Sequence, residues 1–314
     1  MAARQAKGES KGRMIAHAFW RALILIALGI FLRSIGRDHT RYTFEDTLTQ
    51  IGLGYGVLFL LGFRPMRDAW IALGVILVGY WAAFALYPLP GPGFDWSLTG
   101  TTPDWALNYQ GFAAHWNKNT NLAWAFDRWF LNLFPPDGWF TFNGGGYATL
   151  SFIPTLGTMI LGLAAGRVMR SDRTARQRLF WLLAAGIIGV AAGWLLDVTG
   201  VCPSVKRIWT PSWTLFSGGW CFLLLAGFYA AIDVAGWKKP AFPLVVIGMN
   251  SIAAYMIAHL FENFLEGTFK THVGIGTFQA FGAAYEPFLL GACTLFSYWL
   301  ILFWMYRRKL FLRI

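Results

Sequence analysis

The sequence predicts an all-α integral membrane protein of about eight transmembrane helices. Three observations carry this. Hydrophobic residues make up 56% of the 314 and charged residues only 13%, where a soluble domain carries about 25% charged residues. The mean hydropathy is +0.48, and with 17 Trp and 28 Phe the chain lacks the polar surface to cover a water-soluble globule. Finally, the apolar residues fall in runs near the 20 or so that cross a bilayer as a helix.

The runs are taken in order. The first, 14–32, has a basic flank, but its apolar stretch is longer than that of a signal peptide and lacks a small-residue cleavage site, so it reads as a retained helix. The second, 47–63, is short and rich in Gly. The third is 68–87. An unusual connection of about sixty residues follows, 88–148; loops of that length are functional or disordered. Its six tryptophans, among them Trp105, Trp116 and Trp124, argue for an ordered cap, with an interfacial helix over 122–134. Spans follow at 149–169, 178–198, 211–232, 240–260 and 285–306, and Pro211 suits the first turn of its helix. There is no internal repeat and no low-complexity tract. The whole reads as one membrane domain.

With the N-terminus placed in the cytoplasm, seventeen Lys and Arg fall in inside segments and eight in outside ones. That bias predicts both termini inside and 88–148 outside. Orientation in the membrane therefore explains the net charge of +11 without nucleic acid as a partner. Three cysteines are too few for a disulfide framework. Cys221 and Cys293 read as small core residues, and Cys202 lies in a loop. The histidines are too scattered for a metal site.

Four constellations carry chemistry. Ser251, Tyr255, His259 and Asn263 recur every four residues, so a helix stacks them on one face, with Glu262 on the same side and Asn250 about 100° away. They read as one wall of a polar pocket, or as interhelical hydrogen bonds. "SVKRIWTPSW" puts Lys206 and Arg207 near a helix start, as an anion site or as a solvated pair beside Trp209. Within the cap, His115, Trp116 and the run Asn117 to Asn121 precede Asp127 and Arg128, then "NGGGY". Aromatic faces with amide and acid groups suit a sugar; the alternative is an interfacial aromatic belt. Lastly, the five arginines of "GLAAGRVMRSDRTARQR" suit cofactor phosphates or simply mark the inner face.

"VKRIWTPSW", "PLVVIGMNSIAAYMIAHLFEN", "GTMILGLAAGRVM", "FDRWFLNLF" and the terminal "YRRKLFLRI" together resemble the heparan-α-glucosaminide N-acetyltransferase family over nearly the whole chain. The resemblance implies a polytopic membrane acyltransferase. Its donor would be cytoplasmic acetyl-CoA, and its acceptor the amino group of a glucosamine or related glycan on the other side. Lys206, Trp209 and Ser212 fall on a Lys–x–x–Trp–x–x–Ser pattern. Gly248, Met249, Asn250, Ser251 and Tyr255 fall on Gly–Met–Asn–Ser and the Tyr after it. Asp127 and Arg128 match an Asp–Arg pair, and Arg167 stands where relatives have Lys. His259 lies one position from the family's His, a rotation of about 100° on a helix.

Relatives carry further helices before the equivalent of Met1, with their catalytic His between them. The expectation is that Met1 is an internal methionine of a longer reading frame, and that His259 and His115 are the local candidates for a base. Motif variants suggest a bacterial inner membrane, with lipid around the chain and a homo-oligomer as a possible assembly. The competing readings are a small-solute transporter and a catalytically inactive binding or assembly subunit.

Overall fold

A computed structural model describes residues 8–134 and 138–312. Among them the secondary structure is entirely helical. Six helices are long and apolar enough to cross a membrane, or up to seven if one bent pair counts as a single span. The described residues group into two compact units, one up to Ala230 and one from Ala231.

In the first unit, α1 (Lys11–Ser34) packs on α2 (Thr47–Leu61). α1 begins at Ser10, whose hydroxyl accepts the Arg13 N–H. α2 begins at the fully buried Asp46, whose carboxylate accepts the Leu48 N–H and pairs with Arg33 at 3.2 Å. At 15 residues, α2 rises about 22 Å, less than the ~30 Å of a hydrocarbon core. α3 (Met66–Ala85), α5 (Phe152–Met169), α6 (Ala175–Val198) and α7 (Pro211–Phe228) complete the bundle. Its core holds Leu73, Ile160, Leu182 and Phe222. Large apolar side chains such as Val78, Phe180 and Ile188 point outward, as lipid-facing positions do, while small residues sit between helices.

The α6–α7 seam shows why. A Cβ added at Gly193 would lie 2.5 Å from the Ser212 carbonyl, and one at Gly219 would lie 2.5 Å from the Val190 nitrogen. The backbones touch, and nothing larger than glycine fits. Beyond α7 a π-helical stretch, Tyr229–Val234, leads into the second unit.

There, α8 (Phe242–Met249) and α9 (Ser251–His272) meet at 83° across Asn250. The single helix expected over 240–260 is therefore two. The break is satisfied by Asn250 itself, 2% exposed, whose Nδ2 donates to the Leu310 carbonyl at 2.7 Å and whose Oδ1 accepts the Leu312 N–H at 3.0 Å. A one-turn α10 (Ile275–Phe278) precedes α11 (Glu286–Arg307), which packs on α8 and α9 around Val246, Ala253 and Leu302.

The expected helix at 122–134 is α4 (Leu122–Phe130) with a further turn over Leu131–Leu133. The cysteine reading is reversed: Cys202 is buried, and Cys221 and Cys293 are exposed. An apolar run does not distinguish core from lipid.

Candidate functional site

The connection from α3 to α5 is ordered by its own amides. The Asn117 side chain bonds the Tyr109 backbone twice, at 2.7 and 3.0 Å. Asn119 sits in the left-handed region at φ 55 and donates to the Thr99 and Asn143 carbonyls. Asn121 caps α4 by accepting the Trp124 N–H and donates to the Asn117 carbonyl. The polar run read as hydrogen-bonding capacity for a sugar is thus largely committed to the cap's own backbone. Beneath it, Trp116, Phe84, Tyr80, Cys202 and Ile208 form a second core. Burial pushes the Cys202 thiol above its ordinary range.

A cleft of about 360 Å³ opens where this cap meets the loop before α7. Its walls include Trp105, Tyr109, Trp116, Lys118, Gly144 to Gly146 and Arg207. Lys118 Nζ lies 5.3 Å from the centre of the Trp105 ring, and the Arg207 guanidinium lies 5.0 Å from that of Tyr147. Arg207 also donates to the Gly145 carbonyl. Two constellations far apart in sequence, "NGGGY" and "SVKRIW", therefore build one rim. The Trp116 indole N–H has no hydrogen-bond partner. The charged residues lining the cleft are two cations and no acid.

The "KRIWTPS" loop is held rigidly. Trp209 adopts φ 52, a conformation uncommon outside glycine and retained only where the surroundings dictate it. Here its indole N–H donates to Thr158 on α5 at 3.0 Å. Ser212, fully buried, donates to the Pro203 carbonyl at 2.9 Å and bonds Thr210. Tyr80 of α3 donates to the Ile208 carbonyl. Lys206 is exposed.

Asp127 lies on α4 under the cap, 3% exposed, with Oδ2 accepting the Thr149 N–H at 2.9 Å. Burial pushes its carboxyl up to about 7; the Thr149 hydrogen bonds oppose this and nearby Glu45 adds to it. Glu45 is itself raised by burial, against Arg33 and Arg41. Arg128 stacks on Trp124 at 5.0 Å. The His115 Nδ1 lies 2.8 Å from the Tyr87 carbonyl.

Arg167 does not reach the cleft. Its Nη2 donates to the Leu61, Gly62 and Arg64 carbonyls at the C-terminal end of α2. In the second unit the Tyr255 and His259 rings meet at a tilt of 32°, with centres 4.2 Å apart. Ser251 and His259 are exposed, and His259 Nδ1 lies 3.0 Å from the Tyr255 carbonyl. Among the described residues no group of His, Cys, Asp and Glu is arranged to hold a metal.

No family model matches the chain. Heparan-alpha-glucosaminide N-acetyltransferase of Homo sapiens is 24% identical over 308 residues, which are 84% of this chain and 45% of that protein. The Mus musculus protein of the same name is 22% identical over 352 residues, 98% of this chain and 51% of that protein. The chain is related to this acetyltransferase family. It spans about half the length of the curated relatives it matches.

Of the residues on which the resemblance to the acetyltransferases rests, those in the first unit divide by role. Lys206, Trp209 and Ser212 build the loop that presents Arg207. Asp127 and Arg128 lie on the cap's short helix, and Arg167 caps α2. Asn250 anchors the C-terminal run of its own unit. Residue types in sequence did not mark Arg207, Tyr147, Asn143 or Glu45 as belonging together. The available signal was a cation flanked by loop-forming glycine and aromatic residues, which many loops share.

Proposed function

We propose that this chain is an acyltransferase, or the larger part of one, that places an acetyl group from acetyl-CoA on the amino group of a glycan held in the cap cleft. The observation that carries the reading is the cleft. It offers flat aromatic walls at Trp105 and Tyr109, and donors at Lys118 and Arg207. The relationship to heparan-alpha-glucosaminide N-acetyltransferases supports acetyl transfer as the reaction class. The heparan named in those relatives suggests a glucosamine-bearing acceptor.

The electrostatics suit the chemistry. An amine attacks a thioester only when neutral. Two cations in the wall and no acid lining the cleft disfavour the ammonium form. The attacking nitrogen forms the new C–N bond, the C–S bond breaks, and the carbonyl oxygen gathers charge that donors must meet. Lys118 and Arg207 are the cleft's own donors for that role. Both termini lie on the cytoplasmic side in this reading, with the cap outside. In support, the 88–148 segment touches 35–46 through Asn143–Glu45 and 199–210 through Arg207–Gly145.

The test is reconstitution of the chain in sealed vesicles with labelled acetyl-CoA and a glucosamine-ended oligosaccharide. Label transferred to the sugar, and reduced at least tenfold by Arg207→Ala, is the expected result. Saccharide binding without transfer at saturating donor would favour a binding or assembly subunit. Saccharide uptake without donor would favour a transporter.

A further inference from the structure

Asp127 is a buried acid placed between two spaces. Its Oδ1 is buried without a hydrogen-bond partner. Asp127 lines a void of about 10 Å³, bounded among others by Asn119, Asn143, Asn121, Gly146 and Ile208. That volume admits about one water molecule. Asn121, Gly146 and Ile208 also wall the cleft, so void and cleft are separated by a single layer of residues.

We propose that Asp127 is the proton-exchanging group of the cleft, gaining a proton through the one water that the void admits when a ligand fills the cleft and releasing it when the ligand leaves. The proposal rests on the cleft being a ligand site. A carboxylate with one oxygen unpaired in dry surroundings is costly. A ligand that expels water from the cleft raises that cost and favours the neutral acid, whose O–H then donates to the void water. The proton comes from solvent: one O–H bond of a hydronium ion breaks and one O–H bond forms on Asp127.

Other groups set the balance. Glu45 faces Asp127 from the loop before α2, and its charge opposes ionisation. The Tyr80 phenol approaches from α3. Arg128 lies on α4 itself, turned onto Trp124. With these surroundings the carboxyl titrates at about 7, where a small change in hydration changes its charge.

The full chain in detergent is titrated with N,N′-diacetylchitobiose, an uncharged disaccharide, in two neutral buffers of different ionisation enthalpy. A fraction of a proton, at most one, is taken up by the wild type and none by Asp127→Asn. Affinity rises as pH falls from about 8 to about 6, by up to tenfold for each unit by which the ligand raises the acid. Glu45→Gln shifts the maximum of uptake to lower pH. No uptake by the wild type, or the same uptake by Asp127→Asn, overturns the proposal. Infrared difference spectra without ligand give the second reading: a protonated-carboxyl band that titrates near neutrality and vanishes in Asp127→Asn. Absence of that band refutes the proton role itself. Its presence with no disaccharide binding refutes the cleft as a saccharide site, and the linkage with it.

Discussion

Asn250→Ala separates two roles for the most distinctive motif in the chain. The Asn250 amide is 2% exposed and bonds the Leu310 carbonyl and the Leu312 N–H. Alanine removes both bonds. At about 0.5–1.5 kcal/mol for each bond, the loss is about 2 kcal/mol. That is roughly a 30-fold rise in the open population of the C-terminal run. Hydrogen exchange at the Leu312 amide reads it directly. Exchange should accelerate by about thirtyfold, with amides in the middle of α5 and α6 unchanged. If Leu312 exchanges at the wild-type rate while acetyl transfer collapses, the anchoring argument is wrong and the amide serves the reaction.

Arg167→Ala should lower the thermal stability of the first unit by about 2 kcal/mol, since three carbonyls lose a charged donor, and Arg167→Lys should recover only part of it because a point charge replaces the planar fork. Loss of acetyl-CoA affinity with unchanged melting would contradict this. Gly219→Val should cost about 3 kcal/mol or prevent folding, because its branch meets the α6 backbone; a normal yield and melting temperature would refute the seam. Asp127 gives a pH signature. Its folded value of about 7 lies above that of an unfolded aspartate, so between about pH 4 and pH 7 the folded state binds more protons and stability falls as pH rises, by at most about 4 kcal/mol, then levels. Asp127→Asn should flatten that slope in melts across the range; an unchanged slope would place the titration elsewhere.

How far the sequence can be read depends on what each signal measures. Apolar run length located the six helices long and apolar enough to cross a membrane, because backbone satisfaction in lipid demands continuous helix, and it overrated 47–63, whose helix is only 15 residues long. It missed the break at Asn250, since an amide that replaces helical hydrogen bonds with bonds to Leu310 and Leu312 depends on a segment sixty residues away. Positional spacing placed Tyr255 and His259 on one face, and their rings do meet there. Residue type left open what Asn117, Asn119 and Asn121 bond. Side-chain type shows that an amide can bond, not whether its partner is a ligand or the chain itself. The cleft needed Arg207 to meet Gly145 and Glu45 to approach Asn143, contacts that only the closed cap creates.

The asparagine scaffold of the cap has a consequence for recognition. Because Asn117, Asn119 and Asn121 hold the loop through its own carbonyls and amides, the walls around Trp105 and Lys118 are set during folding. A ligand arriving there meets a preorganised surface and carries little of the entropy of ordering it. Association should then proceed in one kinetic phase, its rate linear in ligand concentration, with no slow step of loop closure behind it.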